Sequence, residues 1–225
     1  MKIVTKDLTR IYRVGLSKIV AVDNVSLAID QNAFVAIVGR SGSGKSTLLN
    51  LIGLNDKPTS GKVFMDDRDV SEFTNNERRK IRLQRIGFVF QTFNLLPMLS
   101  ARENVELPMA LAGKSQREQE QKALKLLQTV GLDDRALHKP NQLSMGEMQR
   151  VSIARALANN PEIIIADEPT GELDSKTAEE TVSLLSYINK KEEKTIIVAT
   201  HDQEVVKQAD TVCAMQDGKI SMHPR

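Results

Sequence analysis

The 225-residue sequence has one cysteine, Cys213, so an internal disulfide is excluded. No apolar run approaches the roughly 20 residues needed to cross a bilayer, and residues 1–6 lack the apolar core of a signal peptide. Internal repeats and low-complexity linkers are also missing. These absences predict a cytoplasmic globular protein whose role at a membrane, if it has one, comes through a partner.

Basic residues do not form a dense block interleaved with aromatics, and the net charge of +2 is spread along the chain. A nucleic-acid groove needs such a block, so we expect no nucleic-acid partner. The chain is 40% hydrophobic and 27% charged. That composition and length suit one large α/β domain, with or without an inserted subdomain.

A glycine-rich segment follows the apolar run Phe34–Val38 and matches the phosphate-binding pattern G-x-x-x-x-G-K-[ST]. Its glycines let backbone N–H groups surround a polyphosphate, its lysine meets the β and γ phosphates, and its serine hydroxyl suits Mg²⁺. The alternative is a plain Gly/Ser turn, but a turn alone does not explain why a strand pattern precedes it and a helical pattern follows it. The expected nucleotide-binding residues are Gly39, Ser41, Gly42, Ser43, Gly44, Lys45, Ser46 and Thr47.

Short, unbroken apolar runs alternate with helical periodicity, as in a parallel sheet buried on both faces. The predicted core strands are Phe34–Val38, Ile86–Phe90, Ile163–Ala166 and Thr195–Ala199. Antiparallel strands are predicted around Ile3–Thr5, Val25–Ile29 and Lys62–Met65, with a hairpin joining Val212–Met215 to Lys219–Met222 through Asp217-Gly218. The predicted fold is a P-loop NTPase core of mostly parallel sheet with an N-terminal antiparallel β subdomain.

Strand signals vanish between Gln91 and Pro161, where helical patterns replace them. One amphipathic stripe consists of Ala123, Leu124, Leu126, Leu127 and Val130. We therefore predict an inserted α-helical subdomain at about 92–160, within a single domain whose core spans about 1–91 and 161–225.

Two acids, Asp167 and Glu168, end the strand that begins at Ile163. Side chains at the carboxyl end of a parallel strand face the ligand crevice. Asp167 there can hold Mg²⁺, and Glu168 can orient an attacking water. A polar strand end is the alternative, but the phosphate-binding loop upstream favours the catalytic interpretation.

The segment Leu143-Ser144-Met145-Gly146-Glu147 precedes another helical pattern. Ser144 and Glu147 have the spacing of a capping box, in which each side chain bonds to the other residue's backbone. A helix N-terminus also attracts a terminal phosphate, so capping and phosphate binding use the same geometry.

Together these motifs resemble the ATP-binding subunit of an ABC transporter. The shared order is phosphate loop, glutamine loop, Leu-Ser-x-Gly signature, Asp-Glu strand end, Leu-Asp turn and late histidine. The resemblance covers essentially the whole chain. Residues 87–91, 93–97, 103–108 and 166–171 resemble the lipoprotein-releasing and macrolide-export class within that family.

The resemblance implies a role for several further residues. Tyr12 would stack on adenine, although a tyrosine beside a strand is more often simple packing. Gln91 would touch Mg²⁺ and the attacking water, or be only a solvated strand end. His201 would bond the γ phosphate. Asp174 would join the two active sites and also suits an N-cap.

In this family the signature of one subunit closes over ATP bound to another. The resemblance thus implies an ATP-dependent homodimer, with Ser144 and Gly146 facing the ATP that Lys45 and its neighbours hold in the other copy. It also implies ATP and Mg²⁺ as cofactors, separate transmembrane permease subunits, periplasmic or extracellular accessory proteins, and a position on the cytoplasmic face of the membrane.

Three positions depart from the usual family pattern. The signature usually reads Leu-Ser-Gly-Gly-Gln, but Met145 replaces a glycine and Glu147 replaces the glutamine. If position 145 required positive φ, a side chain there would cost about 1 kcal/mol or more. Glu172 stands where small or amide residues are frequent. We expect the two departures in the signature to tune hydrolysis and not to abolish it, and the sequence gives no account of Glu172.

Three functions remain after these observations. The leading one is the ATPase that powers a membrane transporter or export complex. A non-transport ABC ATPase that transmits a mechanical signal through a membrane partner would carry the same motifs, so the sequence does not separate the two. A small-molecule kinase or a soluble DNA- or ribosome-associated ATPase is disfavoured, because the chain has the signature and lacks a second cassette and a long coiled-coil insertion.

Overall fold

The structure, a computed structural model, describes residues 1–15 and 17–224. Within this part of the chain, strands and helices alternate through most of the sequence. The strands are β1 Ile3–Val14, β2 Ser17–Ile29, β3 Phe34–Val38, β4 Ser60–Met65, β5 Arg68–Asp69, β6 Ile86–Phe90, β7 Ile163–Asp167, β8 Thr195–Thr200, β9 Thr211–Gln216 and β10 Lys219–Pro224. The α-helices are α1 Lys45–Ile52, α2 Asn75–Arg85, α3 Ala101–Leu111, α4 Gln116–Thr129, α5 Met145–Leu157, α6 Ser175–Glu192 and α7 Gln203–Gln208.

Two sheets form among the described residues. The first is antiparallel, in the order β2-β1-β4-β5. The second has the order β10-β9-β3-β8-β7-β6, with parallel pairing except in the β9–β10 hairpin. The predicted fold class, an α/β core with an antiparallel N-terminal part, is confirmed.

The larger sheet is buried on both faces, and side chains alternate between them along each strand. Val35 and Ile37 pack with α1 and the antiparallel sheet. Phe34 and Ala36 pack instead with apolar residues of α5 and α6. This burial explains why the strands of the sequence appear as unbroken apolar runs and not as alternating ones.

Helices α3, α4 and α5 share a core of their own, which includes Val105, Leu127 and Val151. The predicted stripe on α4 is correct at Ala123 and Leu127, which are fully buried. It is wrong at Leu124, whose side chain is 40% exposed, because the buried face of α4 is narrower than the apolar pattern suggests.

Candidate functional site

The carboxyl ends of the central strands form one edge of the larger sheet. Register pairs Val38 with Thr200, Asp167 with Ala199, and Phe90 with Asp167. The residues that follow these ends are therefore neighbours in space. This is the edge at which open α/β sheets bind ligands, and it brings together the predicted residues Gly39, Gln91, Glu168 and His201.

Two positions in the segment between β3 and α1 tolerate only glycine. Gly44 has φ +105°, and a Cβ there would lie 2.0 Å from the carbonyl oxygen of Ala21. A Cβ on Gly39 would lie 2.2 Å from the carbonyl oxygen of Met215. Helix α1 begins directly after Gly44 without a side-chain cap. Its first N–H groups and partial positive charge suit a phosphate.

Lys45 reaches back across this loop. Its Nζ donates to the carbonyl oxygens of Gly39 at 2.8 Å and Arg40 at 3.3 Å, and it lies 3.4 Å from Oε1 of Glu168. The other carboxylate oxygen, Oε2 of Glu168, lies 2.9 Å from Nδ1 of His201. Glu168 therefore stands between a lysine and a histidine, and both can orient its carboxylate.

The backbone at Glu168 is unusual, since its φ of +45° lies in the left-handed region that side chains disfavour. Its N–H donates to the carbonyl of Ala199, and its own carbonyl accepts from Gly171. These bonds hold the strained turn in place. Such strain is concentrated at functional sites in proteins, where the surrounding structure maintains it.

Asp167 lies beneath the loop and suits a divalent cation. Its Oδ1 is buried without a hydrogen-bond partner in the described structure. Burial raises the pKa of this carboxyl, while a hydrogen bond from Ser46 lowers it. The described residues contain no group of three or more acidic, histidine or cysteine side chains that could hold a metal, either here or elsewhere. An unpaired carboxylate oxygen beside a serine hydroxyl fits Mg²⁺, which also binds phosphate oxygens.

Gln91 begins the loop after β6, and its amide is already engaged. Nε2 donates to Oε1 of Glu172 at 2.8 Å, and both side chains are exposed. Gly171 passes close by, because a Cβ there would lie 3.3 Å from the same Nε2. The unusual acid at position 172 thus bonds to the residue that the resemblance assigns to the metal and the water.

A cleft of about 560 Å³ opens over this edge of the sheet. Most of the predicted site residues line it; they are Tyr12, Gly39, Ser41, Gly42, Gly44, Lys45, Ser46, Thr47, Gln91, Glu168 and His201. Ser43, Ser144, Gly146 and Asp167 do not. Ser43 lines the opposite side of the loop, with Met215 and Gln216.

The signature lies at the start of α5. Ser144 is its N-cap: Oγ accepts the N–H of Glu147 at 3.2 Å, and the Glu147 carboxylate accepts the N–H of Ser144 at 2.7 Å. The expected capping box is therefore present. Met145 is the first helical residue and does not have positive φ, so the strain considered from the sequence does not arise.

Several contacts around the site gave no signal in the sequence. Arg135 donates from Nε to Oε1 of Glu147 at 3.1 Å. A Cβ on Gly146 would lie 2.3 Å from Cγ2 of Thr177, at the start of α6. Thr177 in turn donates to the carboxylate of Asp174, the N-cap of that helix. The first two contacts join separate elements, so only folding brings those partners together, whereas Asp174 and Thr177 lie within one helical turn and form the N-cap expected from the sequence.

Comparison with known proteins agrees with the motifs. Residues 22–171 match the family model described as ABC transporter. The ABC transporter ATP-binding protein MJ0796 of Methanocaldococcus jannaschii is 49% identical over 222 residues, which cover 96% of this chain and 93% of that protein. The macrolide export ATP-binding/permease protein MacB of Burkholderia pseudomallei is 47% identical over 213 residues, covering 95% of this chain but 32% of its own length.

Solved structures share the fold along the whole chain. The dimeric post-hydrolysis state of the ATP-binding cassette MJ0796, bound to ADP and Pi, superposes with a TM-score of 0.92 at 46% identity. The match covers 99% of this chain and 98% of that one. The chain is an ABC-type ATPase with ATP and Mg²⁺ as its cofactors, and it belongs to the ABC transporter family.

Proposed function

We propose that two copies of this chain close over ATP and that their opening and closing power a membrane export complex. The observation that carries the proposal is the separation of Ser144 from the cleft: one chain holds the phosphate loop and the catalytic acids but does not present its own signature to them. Each composite site would contain Lys45, Ser46, Gln91, Asp167, Glu168 and His201 of one copy with Ser144 and Gly146 of the other.

Within one site, each side chain has a distinct task. Lys45 binds the β and γ phosphates, and the N–H groups at the start of α1 hold their oxygens. Glu168 orients the attacking water and accepts a proton from it. His201 hydrogen-bonds to the Glu168 carboxylate and to the γ phosphate. Tyr12 stacks on the base. Bound Mg²⁺ would be held by Ser46, Asp167 and Gln91 and would offset the phosphate charge.

The signature of the second copy would complete the phosphate site. The N-terminus of α5 presents unpaired N–H groups beside Ser144, and these attract an anion. When hydrolysis separates the γ phosphate from the nucleotide, this link between the copies is lost and the dimer opens. Residues 92–160, proposed as a helical subdomain, would carry the motion outward because Gln91 connects them to the cleft.

A groove of about 350 Å³ between α2, α3, α5 and β6 is the proposed contact for a separate transmembrane permease subunit. Apolar side chains and arginines line it together, which favours an amphipathic segment with acidic residues. The groove is lined by Phe88, Phe90, Leu107 and Leu111 and is flanked by Arg79, Arg82 and Arg155. The similarity to MacB, an ATP-binding/permease protein, supports a permease as the partner that fills this groove.

We propose that the chain works beside this permease on the cytoplasmic face of the membrane. Among the described residues, no helix has both the length and the apolar character to span a bilayer. The match with MacB supports export, and periplasmic or extracellular accessory proteins would then extend the path beyond the membrane.

Light scattering after size-exclusion chromatography tests the dimer. We expect Glu168→Gln to bind ATP with Mg²⁺ and to shift from monomer to dimer, because the phosphate contacts remain while water activation is lost. Wild type provides the hydrolysing control. Binding of ATP without any change in mass would contradict closure as a homodimer.

Ser144→Arg in the Glu168→Gln background separates binding from closure. It adds a bulky side chain at the signature, far from the chain's own cleft, so ATP affinity should persist while the dimer disappears. Lys45→Ala should instead lose ATP affinity. A normal ATP-dependent dimer with Ser144→Arg would refute the role of the signature in the partner's site.

A further inference from the structure

Three side chains form a compact cluster beside the cleft. The guanidinium carbon of Arg10 lies 4.6 Å from the ring centroid of Tyr12, two residues along β1. The Tyr12 hydroxyl donates to Oδ2 of Asp56 at 2.8 Å. Nε of Arg10 lies 2.8 Å from the same oxygen. The Asp56 carboxylate therefore accepts the hydrogen bond of the tyrosine hydroxyl and also forms an ion pair with the guanidinium that covers the tyrosine ring.

Asp56 links this ring to α1, the helix that follows the phosphate loop. Its N–H donates to the carbonyl of Asn50 in α1 at 3.1 Å, and Arg78 donates to the Asp56 carbonyl. The N–H of Lys57 donates to Oδ1 of Asp56 at 2.7 Å. Tyr12 belongs to the antiparallel sheet, whereas α1 begins at the phosphate loop. The carboxylate of Asp56 thus sets the position of the ring relative to the phosphate-binding backbone.

The tyrosine ring forms part of the cleft wall. Tyr12 lines the cleft together with Lys45 and Ser46, whereas Arg10, which packs over the ring, is not among the lining residues. A base stacked on Tyr12 would therefore use the ring face opposite Arg10. The side chains of Arg10 and Asp56 are 24% and 26% exposed, so water screens their interaction only in part.

We propose that Arg10 and Asp56 are positioning residues for the purine base, acting through Tyr12. This inference rests on the proposed function, in which Tyr12 stacks on adenine. An aromatic ring that is already fixed binds a base without losing further rotamer freedom. A guanidinium on one ring face and a base on the other give a continuous stack. The cluster touches no phosphate-binding group, so it contributes to base recognition alone.

Binding measurements with two ligands test this division. We would titrate Arg10→Ala and Asp56→Asn with ATP and with inorganic tripolyphosphate, each with Mg²⁺, by calorimetry. ATP affinity should fall about 3- to 10-fold, while tripolyphosphate affinity stays unchanged. In steady-state assays, KM for ATP should rise and kcat should not change. Arg13→Ala is the matched control, because Arg13 lies exposed on the same strand and contacts neither Tyr12 nor Asp56 in the interactions described.

Two conservative variants separate positioning from general disturbance. Tyr12→Phe keeps the ring and removes its bond to Asp56, so a smaller loss of ATP affinity is expected. Arg10→Lys keeps the charge but not the planar group, and it should lie between wild type and Arg10→Ala. Thermal unfolding of each variant verifies folding, and the two conservative variants suffice for the test if Arg10→Ala does not fold.

The outcomes also separate this inference from the proposed function. Equal losses for ATP and tripolyphosphate would overturn it, because the phosphate loop itself would then be disturbed. A loss with Tyr12→Ala but none with the Arg10 and Asp56 variants would also overturn it while leaving Tyr12 as the base-binding residue. Unchanged ATP affinity in Tyr12→Ala would instead remove the base-binding role from the proposed function.

Discussion

Replacing Glu147 with the glutamine usual in the family is the most informative single change. Its carboxylate accepts the Ser144 N–H at 2.7 Å and the Arg135 guanidinium at 3.1 Å. The backbone hydrogen bond from Ser144, followed by further bonds from Ser144 and Arg135, holds the pKa of Glu147 below its usual value of 4.5. Folding therefore stabilises the charged form, which Glu147→Gln removes.

The expected loss of stability in Glu147→Gln follows from two interactions. A negative charge in the first turn of a helix contributes about 0.3–1 kcal/mol, and a partly exposed ion pair contributes about 0.2–1 kcal/mol. The lower part of the second range applies, since the Arg135 side chain is 39% exposed. Glutamine preserves the capping box. We expect unfolding free energy to fall by about 1 kcal/mol, which lowers Tm by roughly 2–4 °C for a chain of this size.

Thermal unfolding without nucleotide measures this loss, and its pH dependence has a definite sign. A carboxyl with a lowered folded pKa stabilises the protein above its unfolded pKa, near 4.5, and loses that contribution as the pH falls through the folded pKa. The Tm difference between wild type and Glu147→Gln should have its largest value at pH 7 and should become smaller below pH 4.5. An equal or higher Tm for the variant at pH 7 would refute the reasoning.

Glu118→Gln is the matched control for stability. Glu118 occupies the same place in the capping box of α4, with Ser115, and is exposed. Glu118→Gln removes the charge at the helix N-terminus, but Glu118 has no arginine partner like Arg135 in the described part of the chain, so Tm should fall less.

In the Glu168→Gln background, Glu147→Gln should strengthen the ATP-dependent dimer a few-fold, because it removes a negative charge from the signature. A weaker dimer, measured by light scattering across protein concentrations, would contradict this charge effect.

Two further changes test contacts that folding creates. Glu172→Ala removes the carboxylate that restrains the Gln91 amide through Nε2, so Oε1 can turn toward the metal and half-saturation by Mg²⁺ in an ATPase titration should need a few-fold less metal; an unchanged or higher value would show that this bond does not restrain Gln91. Gly146→Ala should lower stability by about 1–3 kcal/mol, since its Cβ would lie 2.3 Å from Thr177 Cγ2. Adding Thr177→Ser removes that methyl and keeps the hydroxyl, so Tm should recover; no recovery would disprove the clash.

Local chemistry made much of the site predictable. The phosphate loop requires glycine at the fixed backbone of Gly44 and a lysine directly after it, so its pattern is visible in nine consecutive residues. The central strands are visible because burial on both faces removes polar residues from them. The α5 cap is equally local, since Ser144 and Glu147 are one helical turn apart.

The sequence by itself determined the order of the motifs, the α/β class and the family, because each depends on residues close together in the chain. Only the tertiary structure decided which side chains meet. Asp56 reaches Tyr12 across 44 positions, and Glu172 reaches Gln91 across 81. Such contacts depend on how strands pair and helices pack, and no short pattern records them. The same limit explains Leu124, whose apolar side chain fits the helical period but lies outside the face that α4 buries.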